Sequence, residues 1–128
     1  MDYKLHFDHY NFNVVDLGRS IDFYGKALGL SEVSRITPAD GSFIIVYLGD
    51  GETSFRLELT WLRDRKTPYD LGEGEFHLAL RLDPGQDYEK VRQYHKDMGI
   101  VCFENHDMGI YFIEDPDGYW IEILPPDK

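Results

Sequence analysis

A chain of 128 residues carries 13 Lys and Arg against 24 Asp and Glu, a formal net charge of −11, with 42% hydrophobic and 15% aromatic residues. That length is about one domain with a real core, and the charge excludes nucleic acid and an anionic membrane surface as partners, since nothing would offset a phosphate field. The single Cys102 excludes an intramolecular disulfide framework, no apolar run approaches the ~20 residues that span a bilayer, and no charged-then-apolar leader opens the chain; a cytoplasmic protein with a buried strand thiol is expected.

The first half reads as strand, helix and three strands. Residues 9–15 alternate and are β-rich. Asp16 or Ser20 caps the helix that follows, Ile21, Tyr24 and Leu28 recur at its period, and Gly29 ends it. Residues 31–37, 43–48 and 54–61 are strands, separated by turns at Pro38-Ala39-Asp40-Gly41 and Gly49-Asp50-Gly51.

The second half repeats this order. Residues 76–82 predict a strand. Residues 87–98 predict a helix with Tyr88, Val91, Tyr94 and Met98 on one stripe and Gly99 at its end. Strands follow at 100–103, 110–113 and 119–124, the last entered through Asp115-Pro116-Asp117-Gly118, which reads as a turn and not a calcium loop. The polar, Gly/Pro-bearing residues 63–74 read as a linker. The fold expected is therefore α+β: two βαβββ modules, about 1–62 and 75–128, forming a half-open barrel around a cleft.

Four residues sit at matching places in this repeat. His9 and His77 open the first strand of each half; Glu58 and Glu122 lie in the last. Alternation puts Tyr10, Phe12 and Val14 on one strand face and His9, Asn11 and Asn13 on the other. The same split sets Leu57 and Leu59 against Arg56, Glu58 and Thr60, Leu78 and Leu80 against His77 and Arg81, and Ile121 and Ile123 against Trp120 and Glu122. A lone strand His is ordinarily a surface or hydrogen-bonded residue, and a lone Glu is ordinarily solvated. Four matched positions are another matter, because two imidazoles and two carboxylates suit a divalent first-row metal. His6, His95 and His106 have no such match and read as structural or surface residues.

At these residues the chain resembles the glyoxalase I family of the vicinal oxygen chelate superfamily. The matching stretches are Asp16-Leu17-Gly18-Arg19-Ser20-Ile21-Asp22-Phe23-Tyr24, Leu28-Gly29-Leu30, Leu57-Glu58-Leu59-Thr60, His77-Leu78-Ala79-Leu80, and the run from Glu114 through Asp115-Pro116-Asp117-Gly118-Tyr119-Trp120 to Leu124. The resemblance spans almost the whole chain. It implies paired βαβββ modules in a homodimer, with His9, Glu58, His77 and Glu122 as metal ligands. The short loops lean toward nickel or cobalt, with zinc the metal of longer forms. The implied reaction isomerises the hemithioacetal of methylglyoxal and a thiol, usually glutathione, to an S-lactoyl thioester. Glu122 is the leading proton-transfer carboxylate and Glu58 its counterpart.

The glutathione-holding positions depart from that pattern. Asn13 stands where those enzymes carry Arg, Leu62 where they carry Asn, and Glu73 where the longer forms carry Arg. No Lys or Arg occurs between Lys96 and Lys128, where a Lys is expected. These losses remove charge-assisted bonds to the peptide carboxylates, so the thiol cosubstrate is left open. Arg56 and Arg81 lie on the ligand face, either to bind another anionic group or to pair with neighbouring carboxylates. Asn13 and Trp120 complete the candidate substrate-binding set, and a small molecule is the expected partner. The alternatives are another metalloenzyme of the superfamily, such as an epimerase, lyase or thiol transferase, and a non-catalytic ligand-binding protein. The four retained ligand candidates argue against the last.

Overall fold

The computed structural model describes residues 1–127. The chain divides into two compact units, Met1–Tyr69 and from Asp70 onward. The first contains β1 (His9–Val14), α1 (Leu17–Leu28), β2 (Ser31–Ile36), β3 (Phe43–Gly49) and β4 (Arg56–Leu62). The second contains β5 (His77–Arg81), α2 (Tyr88–Asp97), β6 (Val101–Asn105), β7 (Ile110–Glu114) and β8 (Trp120–Leu124).

Each unit folds the same way. The first sheet has strand order β1-β4-β3-β2 and the second β5-β8-β7-β6. The strand before each helix lies parallel to the last strand of its unit, and the remaining pairs are antiparallel. The class is α+β with a βαβββ module twice, as the repeat predicts. Neither sheet closes on itself, so each ends in free edges.

Local chemistry explains the helix limits. Asp16 caps α1 by accepting from the Arg19 N–H at 3.1 Å, which satisfies one orphan donor of the first turn. Gly29 ends α1 at φ 68°, left-handed backbone that glycine adopts without a steric penalty. Asp87 caps α2 through the Lys90 N–H at 3.2 Å. The buried stripe of α1 is Leu17, Ser20, Tyr24 and Ala27; of the three positions expected there only Tyr24 is fully buried.

α2 corrects the sequence reading more sharply. Tyr94 is exposed, and His95 is the buried residue of that helix. Both positions flank Val91 at helical spacing, so the pattern does not separate them. Burial of His95 is permitted because its Nδ1 and the Tyr111 hydroxyl hydrogen-bond at 2.7 Å.

The core lies on one face of each sheet. Phe12, Val14, Val46, Leu48, Leu57 and Leu59 are buried in the first unit, and Tyr111, Ile113, Tyr119, Ile121 and Ile123 in the second. Each fully buried apolar side chain of this size contributes roughly 1.5–3 kcal/mol relative to exposure. The Asp115-Pro116-Asp117-Gly118 segment is a turn whose carboxylate is consumed internally. Asp115 Oδ1 accepts from the Asp117 and Tyr119 N–H groups at 2.9 Å each, and Gly118 has φ 93°. Cys102 is half-buried rather than fully enclosed, with its thiol 3.6 Å from the Phe112 carbonyl oxygen.

Candidate metal centre

The strand faces opposite these cores carry the candidate ligands, one pair per unit. His9 is in register with Arg56, and Asn11 with Glu58. His9 therefore meets Glu58 on the diagonal, Nε2 to Oε2 at 3.3 Å. In the second unit His77 is in register with Trp120 and Ala79 with Glu122. The same diagonal brings His77 Nε2 to 3.6 Å from Glu122 Oε1.

These separations suit two ligands of one ion. Donors about 2.1 Å from a metal and at right angles lie about 3 Å apart. The tautomer of His9 strengthens the fit. Its Nδ1 is 2.5 Å from Asp8 Oδ2. An ionised Asp8 can only accept, so Nδ1 carries the hydrogen and donates. That hydrogen bond raises the pKa of His9 and lowers that of Asp8. In neutral His9 the Nε2 lone pair then faces the Glu58 carboxylate, acceptor against acceptor. A cation between them is the arrangement such a pair accommodates best. The Asp8 carboxylate fixes the orientation and tautomer of the His9 ring.

The surroundings of the two pairs differ. Tyr47 lies opposite Glu58 in the β3–β4 register and packs edge-on against the His9 ring, centroids 5.6 Å apart at 82°. Interaction of its hydroxyl with the Glu58 carboxylate, then desolvation, raises the pKa of Tyr47. Phe112 holds the equivalent place opposite Glu122 and packs edge-on against His77 at 5.0 Å and 89°. Phe112 also abuts Trp120, whose ring stacks on Phe103 at 6.1 Å and 23°. The second unit thus offers an aromatic wall beside its ligand pair, where the first offers Ser34, Tyr47 and Arg56.

Arg56 lies with its guanidinium carbon 5.8 Å over the Tyr47 ring, and its Nη1 is 3.5 Å from Ser34 Oγ. Arg81 is engaged by the chain's own C-terminal segment: it donates to the Pro125 carbonyl at 2.8 Å and pairs with Asp127 at 3.4 Å. Asn13 accepts from Asn11 at 2.8 Å, and Asn11 accepts from the Thr60 hydroxyl at 2.6 Å. Leu62 and Glu73 are exposed. Asp8 and Tyr47 escaped the sequence reading. Asp8 directly precedes His9, and a Tyr set against a Phe shows once the two halves are laid on one register. Among the described residues of the single chain no group of three or more His, Cys, Asp or Glu side chains is disposed to hold a metal ion.

Residues 6–123 match the Glyoxalase/Bleomycin resistance protein/Dioxygenase superfamily. The chain belongs to this superfamily. It is 35% identical over 125 residues to a lactoylglutathione lyase of Neisseria meningitidis serogroup A, covering 91% of this chain and 87% of that one. It is 34% identical to the lactoylglutathione lyase of Escherichia coli O157:H7, covering 91% and 89%. The trypanothione-dependent glyoxalase I of Leishmania major shares the fold at a TM-score of 0.81 and 27% identity, over 95% of this chain and 87% of that one. The chain is an enzyme of this glyoxalase kind. Among the described residues no helix is long and apolar enough to cross a membrane.

Proposed function

We propose that the chain is a metal-dependent, cytoplasmic glyoxalase I-like lyase that converts a methylglyoxal–thiol hemithioacetal to an S-lactoyl thioester. The observation that carries this reading is the matched pair of His–Glu diagonals, 3.3 Å and 3.6 Å across. Each pair alone offers two ligands. His9, Glu58, His77 and Glu122 together offer four and leave positions for two vicinal substrate oxygens. We assign the four to one site, completed between modules across a homodimer; the donor set suits a divalent first-row metal, and the short loops, by the resemblance, favour nickel or cobalt with zinc as the third option. The ion supplies a Lewis acid for the negative charge that develops on the substrate oxygens.

The chain's own residues handle the proton. The reaction moves a hydrogen from the carbon bearing sulfur and hydroxyl to the adjacent carbonyl carbon. The first carbon becomes the thioester carbonyl and the second carries the new hydroxyl, so no oxidant or reductant enters. Glu122 takes the proton and returns it one carbon away, as general base and then acid. Glu58 is its counterpart on the other side of the site. Trp120 flanks Glu122, and Arg56 and Asn13 line the ligand face of the first unit as substrate contacts. Arg81 belongs to the same set only if it releases Asp127.

Glutathione is a poor fit as the thiol. Asn13, Leu62 and Glu73 replace the groups that hold its carboxylates in the enzymes the chain resembles. The trypanothione-dependent relative has the same fold, so the fold is not restricted to one thiol. The test is a nickel-supplemented assay of methylglyoxal with a panel of thiols, following S-lactoyl thioester formation. Turnover with at least one thiol supports the reading. Full metal occupancy with no turnover favours a related epimerase or thiol transferase.

A further inference from the structure

Arg81 stands four residues beyond His77 on β5, and alternation sets both on the strand face that carries Glu122. Four residues of strand span about 13 Å. Among the described residues Arg81 is the one Lys or Arg in any strand of the second unit. Its guanidinium is engaged by the chain's own end. Nη1 donates to the Pro125 carbonyl at 2.8 Å, and Nε lies 3.4 Å from Asp127 Oδ1. The second contact is longer than the roughly 2.7–2.9 Å of a charge-assisted hydrogen bond, and the Asp127 side chain is 81% exposed. Nη2 has no partner among the described residues.

We infer that Arg81 determines specificity for the thiol: it takes the terminal carboxylate of a monocarboxylate thiol cosubstrate, and Asp127 is the displaceable stand-in for that carboxylate. The inference rests on the proposed reaction and names its cosubstrate class. A guanidinium offers its N–H donors in a fixed fork, and a carboxylate accepts two of them side by side. The Nε–Nη2 edge of Arg81 is such a fork, occupied only by one long contact to Asp127. An incoming carboxylate that engages both nitrogens replaces that contact with two direct bonds, while Nη1 stays on Pro125. The spacing selects the cosubstrate. A carboxylate next to the sulfur-bearing carbon is too close to the His77–Glu122 pair to reach Arg81, whereas one at the end of several methylenes reaches it. Glutathione brings a second carboxylate, for which the strands of this unit hold no second cation.

Paired thiols test this: the methylglyoxal hemithioacetals of mercaptohexanoate and of its carboxamide, given at equal concentration to the metal-loaded protein. The wild type is expected to prefer the carboxylate. Arg81→Gln should cut that preference, read as a ratio of kcat/KM values, by about tenfold or more. Arg81→Lys keeps the charge without the fork and should recover part of it. Asp127→Asn should lower KM for the carboxylate adduct about two- to fivefold, a modest change because an exposed ion pair is weak. Circular dichroism confirms that each variant folds. A readout without turnover is the Arg81 Nε–Hε signal in a proton–nitrogen correlation spectrum, assigned by its loss in Arg81→Gln. It should shift on titration with the S-methylated carboxylate thiol and not with the S-methylated carboxamide. Turnover of both adducts without preference, wild-type preference in Arg81→Gln, a KM that does not fall in Asp127→Asn, or a signal that does not move overturns the inference and leaves the functional reading intact. A metal-loaded wild type that turns over no thiol adduct overturns both.

Discussion

His9 and Glu58 approach to 3.3 Å although neither is the other's register partner; each sits two positions along its own strand from the residue directly opposite the other. His77 and Glu122 repeat the offset. The diagonal is what lets one imidazole and one carboxylate point at a shared point, since directly opposed side chains on a parallel pair stand side by side. It recurs because both modules pair their first and last strands in parallel with the same register.

Asp8→Asn should weaken metal binding about 10- to 100-fold, the usual cost of losing the carboxylate that hydrogen-bonds a metal-binding imidazole. The hydrogen bond that fixes the His9 ring would lose its charge, and Asn can present either an oxygen or an NH2 group. Chelator competition against wild type measures this. Unchanged affinity would mean that Asp8 is a surface carboxylate that happens to lie beside His9.

Hemithioacetal isomerisation should be slow with the glutathione adduct relative to another thiol. Each charged hydrogen bond lost contributes roughly 1.5–3 kcal/mol, so losing two weakens binding by about a hundredfold or more. The comparison needs metal-saturated enzyme and equal hemithioacetal concentrations. A kcat/KM for the glutathione adduct of about 10⁴–10⁸ M⁻¹s⁻¹, the usual enzymatic range, would show that the residues at 13, 62 and 73 do not matter.

Tyr111→Phe should destabilise the fold by about 1–3 kcal/mol, the cost of stranding a buried polar group. The group stranded is His95 Nδ1, now 2.7 Å from the Tyr111 hydroxyl in a helix-facing core position. Urea unfolding of both proteins checks it. An unchanged midpoint and slope would indicate that His95 finds another donor or acceptor on losing this one.

Cys102 should react slowly with alkylating reagents. Burial pushes its pKa up to about 11 from 9.0, with Glu114 adding repulsion. A raised thiol pKa keeps the neutral form as pH rises, so at pH 8 the thiolate is about a hundredfold scarcer than for an unshifted thiol. Iodoacetamide labelling across pH 7–11 should show the rate still climbing near the upper limit. A rate that levels off near pH 9 would contradict this.

Much of this was legible in the residues. The βαβββ order, the Gly29 helix limit and the face carrying His9, Glu58, His77 and Glu122 follow from alternation and turn chemistry; of the two caps the residues offer, Asp16 and Ser20, Asp16 is the one used. Other features were hidden by the same regularity. On α2, Tyr94 and His95 fit the apolar stripe equally well, and only the Tyr111 hydroxyl across from α2 decides which is buried. The engagement of Arg81 depends on where Asp127 and the Pro125 carbonyl fold back, a contact spanning 44 residues for the second of these. Tyr47 lies opposite Glu58, a cross-strand partner 11 positions away in sequence, a relation that periodicity within one strand does not show.

His9, Glu58, His77 and Glu122 should together hold one divalent ion, to be seen in a crystal structure of the nickel-loaded protein with anomalous scattering at the nickel edge. The expected map shows one ion bound by two imidazole nitrogens and two carboxylate oxygens from these four residues at about 2.0–2.2 Å. An ion bound elsewhere, or Glu58 and Glu122 directed into different cavities in the loaded protein, would contradict the account.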